Sequence, residues 1–230
     1  MLKICTFLWG DKYSLDYVRR LFDGVSRNLT IPHELVLVTS WSDAAISSLN
    51  CRKVAIVDIE LTKIRGCFAR LRLFDPEFQS AMGMAEEDRV VSMDLDSVVT
   101  GPLDRLFERE EPFVILTGAN AENPCPFNGS IWMLKAGHRP DVWSDFSLTE
   151  ANKLSVFDYP DDQAWFAHKM PSAAGWKAGS ASGVYAFHKP GWPGKKNDHR
   201  LPKDARIVVF PGWRDPSKFS DVAWIKQHWK

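Results

Sequence analysis

Hydrophobic positions along the first hundred residues switch between two periods, and each predicts a kind of element. Residues 3–9 form an apolar run that predicts a strand. Behind Ser14, a natural N-cap, Val18, Leu21, Phe22 and Val25 recur at i, i+3, i+4 and i+7 and predict a helix. Residues 34–39, bounded by Pro32 and Ser40, predict a second strand, and residues 53–58 a third. Phe68, Leu71 and Phe74 mark one face of a helix, and residues 89–93 are a fourth apolar run that stops at Asp94-Leu95-Asp96.

The order βαβαβαβ implies a doubly wound, mostly parallel sheet with helices on both faces, because parallel neighbours need crossover connections. Open sheets of this kind bind ligands beyond the carboxyl ends of their strands. The segments to read for chemistry are therefore 9–13 and 94–96.

After Gly101-Pro102 the rhythm changes. Residues 103–107 predict a short helix, 113–117 a strand, and 130–134 another strand reached through the Pro- and Asn-rich stretch 123–129. Residues 171–204, rich in Gly, Pro, Ser and Lys, predict a loop that covers a site, interrupted by one strand near 184–188. Residues 206–210 are a last strand, and Ser220 caps a terminal helix with Val222, Ile225 and Trp229 on one side. No internal repeat is present.

Composition narrows the function classes. The 230 residues are 45% hydrophobic and 25% charged, which suits one globular domain with its own interior. Lys plus Arg and Asp plus Glu are both 29, so no global field draws the chain to nucleic acid or an anionic membrane, and any anion site is local. No apolar run approaches the roughly 20 residues of a bilayer span, and the first residues carry no signal-peptide pattern. A soluble cytoplasmic protein is expected. Cys5, Cys51, Cys67 and Cys125 are scattered without C-x-x-C or zinc spacing, so reduced, mostly buried thiols are expected. Of ten tryptophans, those at 165, 176, 192, 213, 224 and 229 crowd the C-terminal third, where their rings suit core packing or sugar stacking; core is the expectation for most.

The sharpest chemical signal is Asp94-Leu95-Asp96. Strand alternation turns the two carboxylates to one side, about 6.5 Å apart along the chain. A turn there focuses both on one cation. Hard oxygen ligands select Mg or Mn, an ion that can bridge to a diphosphate and neutralise charge on a departing nucleotide. The alternative is ordinary solvated turn chemistry, but the apolar strand before the pair and its position in the sheet favour a metal.

With these residues in place the chain resembles the GT-A nucleotide-sugar glycosyltransferases, particularly those related to glycosyltransferase family eight. The matching pieces are collinear: Trp9, Lys12 and Tyr13 after the first strand; Phe68-Ala69-Arg70-Leu71; Asp94-Leu95-Asp96 with Gly101-Pro102-Leu103-Asp104; Asn128-Gly129-Ser130; Asp162-Gln163; His188; and Val208-Val209-Phe210-Pro211-Gly212 with the terminal 224–229 segment. The resemblance implies one α/β, GT-A-like domain over 1–230 with a small C-terminal extension, residues 1–100 forming the nucleotide-binding half and 101–230 the donor-sugar and acceptor half. It implies transfer of a sugar from a nucleotide-diphosphate donor, usually UDP-linked, to a glycan or small-molecule acceptor, with Mn or Mg on Asp94 and Asp96 and retention of configuration.

Donor-binding roles follow for Trp9, Lys12, Tyr13, Arg70, Asn128, Gly129, Gly212 and Arg214. Catalytic roles near the reacting carbon follow for Asp162, which orients the sugars, and Gln163, whose amide is a poor nucleophile and better stabilises positive charge on the sugar ring. Helix capping by Asp161 or Asp162 is the structural alternative. Two departures stand out. Relatives carry a histidine beside the last glycine and a lysine after it, where this chain has Pro211 and Asp215. His188 is the candidate third metal ligand, and Arg214 the candidate replacement cation.

Two other readings compete. Asp94-Leu95-Asp96-Ser97-Val98 also resembles the haloacid dehalogenase-type phosphatase motif, with Asp161-Asp162 as its distal acids, although that motif ends the first strand of its core. A noncatalytic binding module on a transferase scaffold is the third.

Overall fold

Strand β1 (Leu2–Leu8) is buried along its whole length, as a central parallel strand must be. The computed structural model describes residues 1–119, 125–154, 160–194 and 198–230; Asn123 and Pro124 of the predicted approach to the 130–134 strand lie outside them. β1 pairs in parallel with β2 (His33–Thr39) and with β4 (Arg89–Met93), and β2 pairs in parallel with β3 (Arg52–Ala55). Both faces of β1 are covered: Leu2, Ile4 and Leu8 belong to one apolar cluster, Cys5 and Phe7 to the other.

The short strand β5 (Val98–Val99) leaves this sheet. β6 (Phe113–Thr117), β7 (Phe127–Lys135) and β8 (Ala174–Lys177) extend it, giving the order β3-β2-β1-β4-β7-β6-β8. β7 runs antiparallel to β4 and β6, whereas β6 and β8 are parallel, so the sheet is mostly parallel as expected. β9 (Val184–Ala186) and β10 (Ile207–Val209) join β5 in a second sheet ordered β5-β10-β9, against which the terminal helix Ala223–His228 packs its buried Trp224 and Ile225.

Several predicted elements change. The predicted 130–134 strand is the longer β7, which includes Asn128 and Gly129. The predicted 171–204 loop contains β8 as well as β9. Ser14 is the N-cap residue of helix Leu15–Asn28 but makes no side-chain capping bond, and Val222 rather than Ser220 precedes the terminal helix. All four cysteines are free thiols, Cys5 and Cys125 buried and the other two half-buried. No helix among the described residues is long and apolar enough to cross a membrane.

One polar feature inside the sheet has an energetic consequence. The side chain of Lys3 is wholly buried, and its ammonium reaches the carboxylate of Glu34, its register partner on β2, at 2.6 Å; Arg52 donates to the other oxygen at 2.7 Å. Burial pushes the Glu34 carboxyl up, but the bonds and charges of Lys3 and Arg52 outweigh it and hold it below the ordinary carboxylate range. A depressed carboxyl stabilises the fold above its unfolded pKa and loses that contribution as pH falls through the folded value. Glu34→Gln is therefore expected to cost about 2–3 kcal/mol at neutral pH, because it strands the buried ammonium, and less in acid. Urea titrations at pH 7 and pH 3 measure the difference.

Candidate active site

The ends of β1 and β4 are fastened together where Thr6 Oγ1 donates to the carbonyl of Met93 at 2.8 Å. Beyond them opens a cavity of about 850 Å³, lined among others by Phe7, Trp9, Lys12, Tyr13, Arg70, Asp94, Asp96, Asn128, Gly129, Asp162, Gln163, Gly212 and Arg214. Twelve of these are residues singled out in the sequence. The thirteenth, Phe7, belongs to β1.

Asp94 and Asp96 follow β4 in a turn rather than in extended chain, with Ser97 N–H donating to the Asp94 carbonyl at 3.1 Å. Leu95 between them is buried in the core. Asp94 Oδ1 receives Arg70 Nη1 at 2.5 Å, and Asp96 Oδ2 receives the Tyr13 hydroxyl at 2.7 Å. Neither carboxylate is bound through a backbone amide among the described residues. Burial, then the neighbouring Asp94 charge, pushes the Asp96 carboxyl up, against the pull of Tyr13 and Lys12. Burial and Asp96 likewise raise the Tyr13 phenol, which therefore acts as a donor.

Arg70 is the hub. Its buried guanidinium bonds Asp162 through Nε (2.9 Å) and Nη2 (2.6 Å), Asp94 through Nη1, and the Gly129 carbonyl at 2.8 Å. It stands on a 3-10 helix, Phe68–Phe74, reached through Gly66 and Cys67, both with left-handed backbone. A Cβ on Gly66 would lie 2.4 Å from the Pro160 carbonyl, so only glycine permits the approach by which Asp162 N–H reaches the Gly66 carbonyl at 2.9 Å. That contact sets Arg70 beside the helix Asp162–Lys169.

The adjacent acids there divide the work. Asp161 caps the helix, accepting from Ala164 N–H at 2.8 Å, while Asp162 points to Arg70; burial raises the Asp162 carboxyl even against that cation. Gln163 is clamped at both ends of its amide: Oε1 accepts from Gly129 N–H at 3.0 Å and Nε2 donates to Asp161 at 2.9 Å. Gly129 sits so close that a Cβ would meet Arg70 Nη2 at 2.8 Å, Gln163 Cγ at 3.2 Å and Asp162 Oδ1 at 3.3 Å. Gly129→Ala is therefore expected to push Arg70 off its partners and cost about 1–3 kcal/mol, several degrees in Tm by calorimetry.

The remaining sequence candidates divide. Trp9 packs edge-on against Phe7, and Lys12 reaches over the Tyr13 ring at 4.5 Å. Asn128 Oδ1 accepts from Ser130 N–H at 3.0 Å. Gly212 takes a left-handed turn, and Arg214 lines the cavity with a buried Nε that has no hydrogen-bond partner among the described residues. Asp215, where relatives carry lysine, faces elsewhere: it accepts from the Tyr17 hydroxyl at 2.8 Å and from Ser217 N–H. It does not line the cavity, but its charge still reaches the site and adds to what raises the Asp96 carboxyl.

His188 is not brought to the aspartates. With left-handed backbone (φ 54°) it lies flat on Phe187, ring centroids 3.9 Å apart, and its Nε2 is 3.1 Å from Nδ1 of His199. It does not line the cavity, so packing rather than metal ligation accounts for it. No cluster of three or more His, Cys, Asp or Glu suited to a metal occurs among the described residues. Two carboxylates still suit Mg or Mn, which keep waters and take substrate phosphates for their other positions. The crowding of two negative groups at Asp94 and Asp96 is what a dication relieves.

Sequence reasoning missed several lining residues, among them Ile64, Arg65, Cys67 and Lys189, and named Trp213 only as one of several rings suited to core packing or sugar stacking. The Arg65-Gly66-Cys67 turn carried a signal in its glycine; Lys189 and Trp213 sat in segments without periodicity.

The mostly parallel sheet flanked by helices has the GT-A-like fold of the solved structures it matches. Over 99% of its length the chain is similar to the galactosyltransferase LgtC in complex with donor and acceptor sugar analogs (TM-score 0.60, 12% identity, 96% of LgtC covered). An active-site mutant of LgtC gives a TM-score of 0.61 at 13% identity, with the same coverage of both chains. The glycosyltransferase GlyE of Streptococcus pneumoniae TIGR4 matches over 93% of this chain (TM-score 0.60, 16% identity), which spans 56% of GlyE. No family model matches the sequence, and no curated protein matches it. Asp94 directly follows the fourth strand of this fold, not the first as the phosphatase pattern requires.

Proposed function

We propose that the protein is a glycosyltransferase that moves a sugar from a nucleotide-diphosphate donor, UDP-linked by the resemblance, to a glycan or small-molecule acceptor. The observation that carries this reading is the convergence of Asp94, Asp96, Arg70, Asp162 and Gln163 on one cavity beyond β1 and β4. A donor and an acceptor sugar analog are both bound in the related LgtC structure, and the fold is shared.

Asp94 and Asp96 would hold Mn or Mg, which when bound supplies positive charge to a diphosphate. Tyr13 holds Asp96 in place, and Arg70 holds Asp94. Arg214, with its unpartnered Nε, and Lys12 supply further cations toward phosphate oxygens. Trp9 packs the nucleoside, while Asn128 and Gly129 border the donor sugar.

In the transfer the anomeric C–O bond breaks, its electron pair leaves on the diphosphate, and the acceptor hydroxyl oxygen takes the carbon while its proton passes to the departing diphosphate oxygen. Gln163 is poised for the charge that develops: the clamp on its amide fixes Oε1, the negative end of that dipole, without a rotamer search. Asp162, tied to Arg70, orients the sugars. Retention of configuration belongs to the same proposal.

Gln163→Ala is expected to lower kcat by about 100-fold or more while leaving UDP affinity within about threefold, the pattern of a group used mainly in the transition state. Donor turnover in steady-state assays, paired with calorimetric UDP binding, checks it. An equal loss in both would assign Gln163 to ground-state binding.

A further inference from the structure

We propose that Trp213 is the platform on which a pyranose ring of the acceptor stacks, making it a specificity-determining residue; the inference rests on the glycosyltransferase reading above. Nine of the ten tryptophans are buried or half-buried, as the sequence led one to expect. Trp213 is 67% exposed, the most exposed of the large hydrophobic residues among those described. It lines the same cavity as Asp94 and Asp96.

Its backbone is fixed while the residue stays largely exposed. Gly212 turns the chain with φ 74°, Lys218 Nζ donates to the Trp213 carbonyl at 2.7 Å, and Asp215 caps the following 3-10 helix through Ser217 N–H. Two cations stand over the ring, the Arg214 guanidinium at 5.2 Å and the Lys218 ammonium at 5.7 Å from its centre, and the Phe219 ring is centred 6.4 Å away. A held position with most of the residue exposed is what a stacking surface requires.

The chemistry points to a sugar. A pyranose presents a C–H face, which packs on an indole, and a rim of hydroxyls, which needs polar partners. Here the indole carries the Arg214 and Lys218 cations beside it, so one ring and two polar partners stand together. The place points to the acceptor rather than the nucleobase. Asp96 and Arg70, 7% and 5% exposed, mark the deep end of the cavity, whereas Trp213 stands at its solvent side, where the second substrate arrives.

The test uses the full chain with UDP and Mn and a panel of methyl pyranosides of glucose, galactose, mannose and N-acetylglucosamine, read by saturation-transfer NMR. At least one glycoside is expected to bind wild type and to bind Trp213→Ala at least about tenfold more weakly, with Trp213→Phe within about threefold of wild type. UDP affinity by calorimetry should be the same in all three. Equal glycoside binding in wild type and Trp213→Ala, or no glycoside binding at all, would overturn the platform and leave the transferase reading intact if UDP still binds. A fall in UDP affinity in Trp213→Ala would reassign the ring to the nucleobase. Failure of wild type to bind UDP would remove both readings.

Discussion

Arg70→Ala is expected to lower folding stability by about 3–5 kcal/mol, a fall of roughly 6–20 °C in Tm for a chain of this size, and to abolish transfer. The magnitude follows from what is left behind. The guanidinium is buried and satisfies Asp162 with two bonds, Asp94 with one and the Gly129 carbonyl with one. Alanine strands a buried carboxylate and a carbonyl that water reaches poorly, and unpaired buried polar groups cost more than their pairing contributes. Arg70→Lys keeps the charge but not the planar fork, so it can serve one carboxylate and not both. Its expected behaviour is intermediate stability with transfer still lost. Thermal unfolding of the three proteins, paired with donor turnover, tests the hub; a variant with alanine at 70 that unfolds at the wild-type temperature would contradict it.

The second large effect is opposite in character. Asp96→Asn is expected to leave the metal-free protein as stable as wild type or slightly more so, and to weaken Mn-dependent UDP binding by about 100-fold or more. An ionised Asp96 costs the fold something, since it is buried and beside Asp94, and that cost pushes its carboxyl up to about 7. Asparagine removes the cost and keeps the shape. A side chain whose neutral replacement stabilises the fold while removing function is retained for function. Calorimetric unfolding without metal and UDP titration with Mn measure the two halves separately.

The frame of the sheet was legible because burial on both faces writes itself as unbroken apolar sequence. The apolar run at 89–93 coincides with β4 residue for residue, and the position of Asp94 and Asp96 follows from it. The helix at 68–74 was legible as a helix, but Phe68, Leu71 and Phe74 recur every third residue, the 3-10 period, and that tighter turn is what aims Arg70 inward. β8 was hidden: Ala174-Gly175-Trp176-Lys177 is short and stands in a stretch whose Gly and Ser predict loop.

What no single sequence reveals is partnership at long range. Arg70 meets Asp94 and Asp162, 24 and 92 residues away, and nothing local in either segment announces the other. The same gap explains His188. A histidine ending a strand looks like a ligand until its neighbours are known, and here they are Phe187 and His199. It explains Asp215 as well, which stands where relatives carry lysine and is bonded by Tyr17 and a helix end.

The central claim is that Asp94 and Asp96 together recruit a divalent ion for a nucleotide diphosphate. Calorimetric titration of UDP into the native chain and into Asp96→Ala, each with and without Mn, tests it most directly. The account predicts tight binding only in the native chain with Mn present. The same affinity under all four conditions would contradict it.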